Sequence, residues 1–312
     1  MILALAGGVG GAKLAAGMAR ALLPDELVIA VNTGDDFEHL GLQASPDLDT
    51  VMYTLAGIAN PQTGWGQAGE TWSFMQALER LGGPAWFQLG DRDLATHVER
   101  TRRLASGESL TAVTRAICER LGVRHAVVPM SDDPVRTVVH TDKGELEFQH
   151  YFVRERCEPR VERIDYRHSA AARPSAALSA ALANPALRGV VICPSNPYLS
   201  IAPILAVPGV REAIGRCARV VAVSPIIAGE AVKGPAAKLM RELGVEPSAV
   251  EVARYYRGIA RTIVIDRADA ALAPAVEALG LHAAIEDTLM RDDADRERLA
   301  RACVALLDRT GM

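Results

Sequence analysis

The chain has 312 residues, of which 49% are hydrophobic, so it is long enough for one large α/β domain or for a core with a small subdomain. The net charge of −4 argues against nonspecific nucleic-acid binding, and no apolar run reaches the length that spans a membrane. Five scattered cysteines without a C-x-x-C pair indicate reduced thiols in a cytoplasm rather than disulfides or a zinc site. The N-terminus enters a glycine turn directly, so no signal peptide is expected.

The first predicted element is a buried parallel strand that ends in a glycine-rich turn, and residues 12–22 behind it have the apolar spacing of a helix. Glycines allow a tight turn, and the amides at a helix start are free to face an anion. We therefore interpret the segment as a phosphate-binding turn at the edge of an α/β sheet. The alternative is a turn that only packs a helix on a strand. The glycines of this turn are Gly7, Gly8, Gly10 and Gly11.

Two common nucleotide-binding patterns fail at this turn. The dinucleotide pattern G-x-G-x-x-G, started at Gly8, requires glycine at the position of Lys13. The P-loop pattern, started at Gly7, meets Ala12 where it requires glycine, and Leu14 follows the lysine. The turn therefore differs from those of typical NAD and ATP enzymes.

A second buried strand, residues 27–31, completes a βαβ unit and runs into Asn32, Asp35 and Asp36. In such units, polar groups after the second strand face the ligand on the first turn. The two acids follow Gly11 by roughly 24 residues, close to the position of the ribose-binding acid in dinucleotide folds. The alternative is that they cap the next segment, because aspartate is favoured in turns.

Asp47 and Asp49 follow shortly afterwards, before a predicted helix over residues 51–58. Together with Asp35 and Asp36 they place four carboxylates within fifteen residues. Such a group beside a phosphate turn suits a hard divalent cation such as Mg²⁺. Helix capping is the alternative, and we favour metal ligation for at least one of the four.

Arg92 lies where residues 90–93 open another predicted helix after an apolar stretch. We expect Arg92 to face an anion, held by Asp91 or Asp93. A solvated helix start is the alternative. His97, one turn later, is typical of a structural histidine.

The domain prediction is an α/β, Rossmann-like three-layer core with a mainly parallel sheet, formed by residues 1–125 and 171–312, with a helical segment over 50–122. A smaller β-rich subdomain or lid is expected over 126–170. Within it, residues 136–139 and 145–152 form a predicted hairpin, and residues 160–167 are added to it. The alanine-rich stretch 169–183 is predicted to be helical.

Parallel strands resume at residues 189–193, 219–223, 262–266 and 282–285. Ligands of open α/β sheets lie at the carboxyl ends of strands. Loops rich in proline and glycine could be plain connections there, but two in succession carry hydrogen-bonding groups. Lysine occurs only four times, and one of the four is in the second of these loops. The candidate residues in these two loops are Ser195, Asn196, Ser224 and Lys233.

Several motifs in this order resemble the 2-phospho-L-lactate transferase family of coenzyme F420 biosynthesis. They are residues 7–13, 32–36, 45–50, 89–97, 129–133, 194–197, 222–227 and 285–290. The resemblance implies transfer of a phospho-carboxylic acid from a guanosine diphosphate-activated donor to the ribityl hydroxyl of the deazaflavin Fo. GMP leaves, and Mg²⁺ is required.

The motifs and the resemblance together suggest roles for single residues. The family's acid and arginine that match Asp49 and Arg92 lie at the deazaflavin, so both are expected on the acceptor side. Asp36 and Asp49 are expected to hold Mg²⁺, and whether Asp49 is a base, a ligand or both stays open. The residues expected at the nucleotide are Gly7, Gly8, Gly10, Gly11, Lys13, Asn32, Asp35, Ser195, Asn196, Ser224 and Lys233.

Family members differ in using phospholactate, phosphoenolpyruvate or phosphoglycerate. An arginine-rich, alanine-rich chain looks bacterial, which favours phosphoenolpyruvate. Two alternatives remain: a non-catalytic nucleotide-sugar-binding regulator of the gluconeogenesis-factor type, and a Rossmann oxidoreductase. The motif at 89–97 argues against the first, and Lys13 against the second. The apolar surfaces of the predicted helices suggest a homodimer.

Overall fold

The computed structural model describes residues 1–309, which form a central sheet between two layers of helices. Seven parallel strands make this sheet, and seven further strands form three antiparallel sheets. The strands are β1 Ile2–Ala6, β2 Leu27–Val31, β3 Phe37–His39, β4 Leu42–Ala44, β5 Ala126–Pro129, β6 Arg136–Thr141, β7 Gly144–Glu147, β8 Val161–Arg167, β9 Gly189–Ile192, β10 Val220–Val223, β11 Ile226–Ile227, β12 Glu230–Ala231, β13 Thr262–Asp266 and β14 His282–Glu286.

Twelve α-helices connect and cover these strands in the described part of the chain. They are α1 Gly8–Ala21, α2 Pro46–Leu55, α3 Ser73–Arg80, α4 Asp91–Ala105, α5 Leu110–Arg120, α6 Ala176–Ala183, α7 Ala202–Ala206, α8 Val210–Arg216, α9 Ala236–Glu242, α10 Ala249–Tyr255, α11 Ala273–Glu277 and α12 Asp293–Arg309. Two short π-helices, His150–Arg154 and Pro197–Ile201, lie close to the cavity described below. Among residues 1–309, no helix is long and apolar enough to cross a membrane.

The central sheet has the order β14-β13-β10-β9-β1-β2-β5, and each neighbouring pair is parallel. The chain adds β2 and β5 on one side of β1, and then returns to place β9 on the other side. The strand order therefore reverses between β1 and β9. In open α/β sheets this crevice, at the carboxyl ends of the strands, is where ligands bind.

The core consists of two apolar clusters, one on each face of the sheet. Successive side chains of a strand point to opposite faces, so Ile2 and Ala4 belong to one cluster while Leu3 and Leu5 belong to the other. All five side chains of β1 are buried, as expected for a strand covered on both faces. Burial on both faces explains why the sequence of such a strand is a continuous apolar run.

The structure confirms the parallel strands and corrects several element boundaries. The first turn follows the carboxyl end of the interior strand β1, so the edge of the sheet at which it lies is the one where the parallel strands end. Helix α1 begins at Gly8 and α2 at Pro46, both earlier than expected. The predicted strand over 145–152 is wrong beyond Glu147, because residues 150–154 form a π-helix.

Two further differences concern the segment between the halves of the core. The helix predicted over 169–183 is wrong in its first half, because an α-helix occurs only over Ala176–Ala183. Strand β5, at the start of the predicted subdomain, pairs with β2 in the central sheet. The antiparallel sheet β7-β6-β8 contains the predicted hairpin, and it begins only at Arg136. The division into domains stays a prediction.

Candidate functional site

A cavity of about 600 Å³ opens at the carboxyl ends of the strands. The turn after β1 and the loop after β9 both line it, so it occupies the crevice where the strand order reverses. The start of α2, the loop after β10 and residues 288–290 form further parts of its wall. Residues 148–153, next to the antiparallel sheet, cover another side.

The glycine turn presents only part of its backbone to a ligand. The Gly7 amide donates to Ser195 Oγ at 3.1 Å, and the Gly8 amide donates to Asp47 Oδ1 at 2.7 Å. The geometry of a helix start leaves the amides of Val9 and Gly10 without intrahelical acceptors, and both residues line the cavity. These two amides are therefore available to an anion in the cavity.

Three of the four glycines are required by packing within the protein, and a Cβ atom at Gly7 would collide with Asp47 Oδ2 and with the Ser200 side chain. A Cβ atom at Gly10 would collide with the Pro194 carbonyl oxygen, and one at Gly11 would collide with Ser195 Oγ. Gly8 differs, because its φ of +62° is left-handed while the space around it is open. The absence of side chains at these glycines therefore allows the loop after β9 to pack against the turn after β1.

Lys13 and Lys233 line the cavity without a carboxylate partner among the ion pairs of the described residues. Lys13 Nζ donates to the Met290 carbonyl at 2.8 Å, and Lys233 Nζ donates to the Thr63 carbonyl at 3.1 Å. Burial lowers the pKa of Lys13, and the charges of Arg296 and Lys233 lower it further. An anion in the cavity would relieve this mutual repulsion.

Asn196 and Ser224 also lie on the cavity wall. Asn196 Oδ1 accepts from the Tyr198 and Leu199 amides, while its Nδ2 is buried and has no hydrogen-bond partner. Ser224 Oγ is held in a local turn with the Ile226 backbone. A buried amide donor without an acceptor is costly, so Asn196 is a second group that an anion would satisfy.

A first acidic cluster, Asp35, Asp36 and Asp47, lies beside the glycine turn. Asn32 Nδ2 donates to Asp47 Oδ2 at 2.9 Å, and Ser45 Oγ donates to Asp36 Oδ2 at 2.8 Å. The Oδ1 atoms of Asp35 and Asp36 are buried and have no hydrogen-bond partner. The carboxylates of this cluster therefore keep unused acceptor capacity.

Burial is the main cause of the raised pKa values in the first acidic cluster. Burial raises the pKa of Asp36 to about 7 and that of Asp47 to about 6. Burial raises the pKa of Asp35 well above its usual range, and the neighbouring Asp47 raises it further. Such carboxyls gain from a proton or from a bound cation.

A second acidic cluster, Asp49 and Asp93 with Arg100, His97 and Tyr53, lies at another part of the wall. Arg100 Nη1 donates to Asp49 Oδ2 at 3.1 Å, and Arg100 Nη2 donates to Asp49 Oδ1. The Tyr53 hydroxyl donates to Asp93 Oδ1 at 2.7 Å. His97 Nε2 lies 3.6 Å from Asp93 Oδ1. Both carboxylates of this cluster thus have partners within the protein.

The two clusters differ in their fit to Mg²⁺, which the resemblance implies. One ligand atom each of Asp49, Asp93 and His97 lies within 4.8 Å of the others, a spacing that suits a metal. Arg100 already engages both oxygens of Asp49, however, and Mg²⁺ prefers oxygen ligands to a histidine nitrogen. The first acidic cluster instead offers two carboxylate oxygens without hydrogen-bond partners, the kind of ligand atom that such a cation prefers.

Aromatic side chains concentrate at this cavity. The chain has five phenylalanines and three tryptophans, and five of these eight line the cavity. Phe37, behind the wall, packs edge-on against Phe87 with ring centroids 4.8 Å apart. The cavity therefore offers flat apolar surface as well as charge. We call the five lining residues the aromatic wall: Trp65, Trp86, Phe87, Phe148 and Phe152.

The structure brings most of the sequence-predicted residues to this cavity. Gly11 lies beneath the turn, Asn32 orients Asp47, and Asp36 lies behind the surface, so these three do not line it. The predicted residues that line the cavity are Gly7, Gly8, Gly10, Lys13, Asp35, Asp49, Ser195, Asn196, Ser224 and Lys233.

Arg92 is placed differently from the expectation. Its side chain is exposed, does not line the cavity, and donates to the Ala68 carbonyl at 3.1 Å. Neither expected partner holds it. Asp91 accepts hydrogen bonds from the Thr71 hydroxyl and from the Ser73 and Phe74 amides, and Asp93 accepts one from the Tyr53 hydroxyl.

Arg100, His97 and Tyr53 are the residues that the sequence reasoning missed. Asp93, His97 and Arg100 follow one another at i, i+4 and i+7, which places them on one face of α4. This spacing was the available signal. Polar and charged residues that recur on the buried face of a helix are unusual. This face of α4 lies next to Asp49.

Comparison with known proteins agrees with the geometry. A family model described as "2-phospho-L-lactate transferase CofD" matches residues 2–303. A phosphoenolpyruvate transferase of Kitasatospora aureofaciens is 42% identical over 98% of each chain. A 2-phospho-L-lactate transferase of Methanosarcina mazei is 39% identical over 96% of this chain and 97% of that one. A UPF0052-family protein of Bacillus halodurans shares the fold, with a TM-score of 0.62 at 15% identity, over 97% and 98% of the two chains.

Proposed function

Because the chain belongs to the 2-phospho-L-lactate transferase CofD family, and is therefore a transferase of coenzyme F420 biosynthesis, we propose that its donor is guanosine diphosphate-activated phosphoenolpyruvate and its acceptor the deazaflavin Fo. The choice of phosphoenolpyruvate follows relatives of that name, such as the Kitasatospora protein. Phospholactate is the alternative donor, as in the name of the Methanosarcina relative.

The observation that carries this proposal is that one cavity combines anion-binding groups with an aromatic wall. The amides of Val9 and Gly10 and the ammonium groups of Lys13 and Lys233 suit a diphosphate. The aromatic wall suits a planar ring system, because stacked rings gain dispersion and electrostatic energy. A donor and a deazaflavin acceptor require both kinds of surface together.

In the proposed reaction, the ribityl hydroxyl oxygen attacks the phosphorus atom that carries the acid. A new P–O bond forms, the P–O bond to the bridging oxygen breaks, and GMP leaves with that oxygen. Asp49 accepts the hydroxyl proton and passes it to solvent. The lysines and backbone amides stabilise the charge that develops on the phosphoryl oxygens.

Mg²⁺ would be held at the first acidic cluster, where Asp35 lines the cavity and has an oxygen without a partner, and Asp36 behind it has another. When bound, it supplies positive charge that neutralises the diphosphate. The sequence-based assignment of Asp49 as a second ligand stays open. The ion pair with Arg100 favours the role of hydrogen-bond acceptor for Asp49.

The test is to incubate the protein with Fo, Mg²⁺ and either activated phosphoenolpyruvate or activated phospholactate. Release of GMP and formation of the corresponding phosphodiester are followed by mass spectrometry. We expect product from the phosphoenolpyruvyl donor at the higher kcat/KM. Product from phospholactate alone would reverse the donor assignment. No product from either, with tight binding of a UDP-sugar or NAD instead, would overturn the function.

A further inference from the structure

Arg100 is a fully buried cation behind the cavity wall. Its side chain is 1% exposed, it lies on α4, and it does not line the cavity. Its two terminal nitrogens engage the two oxygens of Asp49, and Nη1 also approaches the Gln43 carbonyl at 3.4 Å. A charge so deeply buried is tolerated only when it is paired.

The pairing fixes the orientation of Asp49. A guanidinium is a planar fork, and two parallel bonds from it define the plane of a carboxylate as well as its position. Asp49 itself lines the cavity. The side chain that faces the ligand is therefore oriented from behind by one that does not.

The same network orients Arg100 in turn. Arg100 Nη1 lies 3.2 Å from His97 Nδ1, and because an arginine only donates, His97 Nδ1 is the acceptor. The proton of neutral His97 is then on Nε2, the nitrogen that faces Asp93. Asp93 is fixed by the Tyr53 hydroxyl. Each group thus restrains the next, from Tyr53 to Asp49.

We propose that Arg100 is a positioning residue for the transfer, acting only through the carboxylate of Asp49. It holds that carboxylate where the hydroxyl of the acceptor can donate to it. The proposal rests on the proposed function for the identity of this hydroxyl. The observation behind it is that the buried guanidinium of Arg100 donates to both oxygens of Asp49, which lines the cavity. This geometry does not depend on which donor substrate the protein uses.

A double-mutant cycle in the full-length protein tests the proposal. Arg100→Gln should lower kcat by about 10²-fold, the loss expected when a reacting group is misplaced by an ångström. Binding of GDP, measured by calorimetry, should not change. Arg100→Lys should recover part of kcat, because it restores the charge without the fork.

The decisive variant combines Arg100→Gln with Asp49→Asn. If Arg100 acts only through Asp49, the double variant should be no slower than Asp49→Asn alone, because groups that act as a unit are not additive. Losses that multiply would overturn the proposal, and so would an Arg100→Gln variant with the kcat of the wild type. Arg102→Gln is the matched control, since Arg102 lies on the same helix in an exposed pair with Glu99.

A structural measurement separates this proposal from the proposed function. In crystals of Arg100→Gln, the Asp49 carboxylate should be rotated from its wild-type orientation while the backbone of α2 is unchanged. An unchanged Asp49 would overturn the positioning role, whatever the substrates are. Absence of product with the wild-type protein would instead overturn the assigned substrates.

Discussion

The two acidic clusters of the cavity contain similar residues and differ in how their charge is compensated. The first, Asp35, Asp36 and Asp47, has burial-raised pKa values and two oxygens without partners. In the second, Arg100 engages both oxygens of Asp49. In the second cluster His97 also lowers the pKa of Asp93, even though burial opposes this.

This difference is the basis on which we propose different chemistry for the two clusters. Buried carboxyls with raised pKa values and unpartnered oxygens suit an external cation, which is why we propose the first cluster as the one that holds Mg²⁺. A carboxylate that is already paired and oriented suits a hydrogen bond to a substrate hydroxyl. The number of acids is therefore less informative than the presence of a buried arginine beside one of them.

The largest effect is expected from Asp49→Asn, which should reduce kcat on the order of 10³-fold. Asparagine keeps the shape of the side chain but cannot accept the hydroxyl proton. Circular dichroism and the thermal midpoint would check that the fold survives. Wild-type turnover in this variant would exclude Asp49 from the mechanism.

Asp35→Asn should come next and should raise the Mg²⁺ concentration needed for half-maximal rate by roughly 10–100-fold, as for metal-site residues generally. Titration of activity with Mg²⁺ after chelation measures this value. Asp93→Asn is the control from the other cluster, and its Mg²⁺ requirement should stay that of the wild type. The reverse pattern would move the metal to the second cluster.

Lys13→Met and Lys233→Met should each raise the KM for the donor about tenfold, the loss expected for one charge-assisted hydrogen bond. The KM for the acceptor should change little, because the lysines are expected to contact the diphosphate. Initial rates at varied donor and acceptor concentrations separate the two constants. An effect confined to the acceptor would reassign this end of the cavity.

Arg92→Ala should change kcat/KM by about twofold or less, as for surface substitutions that remove no buried partner. The expectation follows from the exposed position of Arg92 outside the cavity wall. Steady-state rates with both substrates measure it. A loss as large as that of Arg100→Gln would show that the segment around Arg92 moves into the cavity when the acceptor binds.

The smallest effect is expected on stability, from Asp36→Asn. The pKa of Asp36 in the folded protein, about 7, exceeds the ordinary value of about 3.9 in the unfolded chain. Between these pH values, the folded state therefore binds more protons than the unfolded state. Stability is therefore lost as the pH rises from about 4 to about 7. In metal-free protein, the thermal midpoint of the variant should exceed that of the wild type at pH 8, and the difference should be much smaller at pH 4. Each kcal/mol of added stability would raise the midpoint by roughly 2–4 °C. Equal differences at both pH values would contradict the prediction.

The sequence predicted the sheet well because its strands are buried on both faces and leave unbroken apolar runs. It also located the glycine turn and most of the cavity-lining loops, since parallel strands end at one edge. It failed for residues 150–154, because an alternating pattern does not distinguish a strand from an irregular helix. It missed Arg100 because arginines are usually exposed, and only tertiary packing shows which one is paired.

The crowding at Gly10 and Gly11 has a consequence for how the turn tolerates change. Both positions are closed by the protein itself, by Pro194 and Ser195, before any nucleotide arrives. Replacement by alanine would therefore push apart two neighbouring strand ends, β1 and β9, and the damage would show as poor yield of folded protein. Gly8, with open space around its Cα, is the position where a substitution would strain the backbone alone.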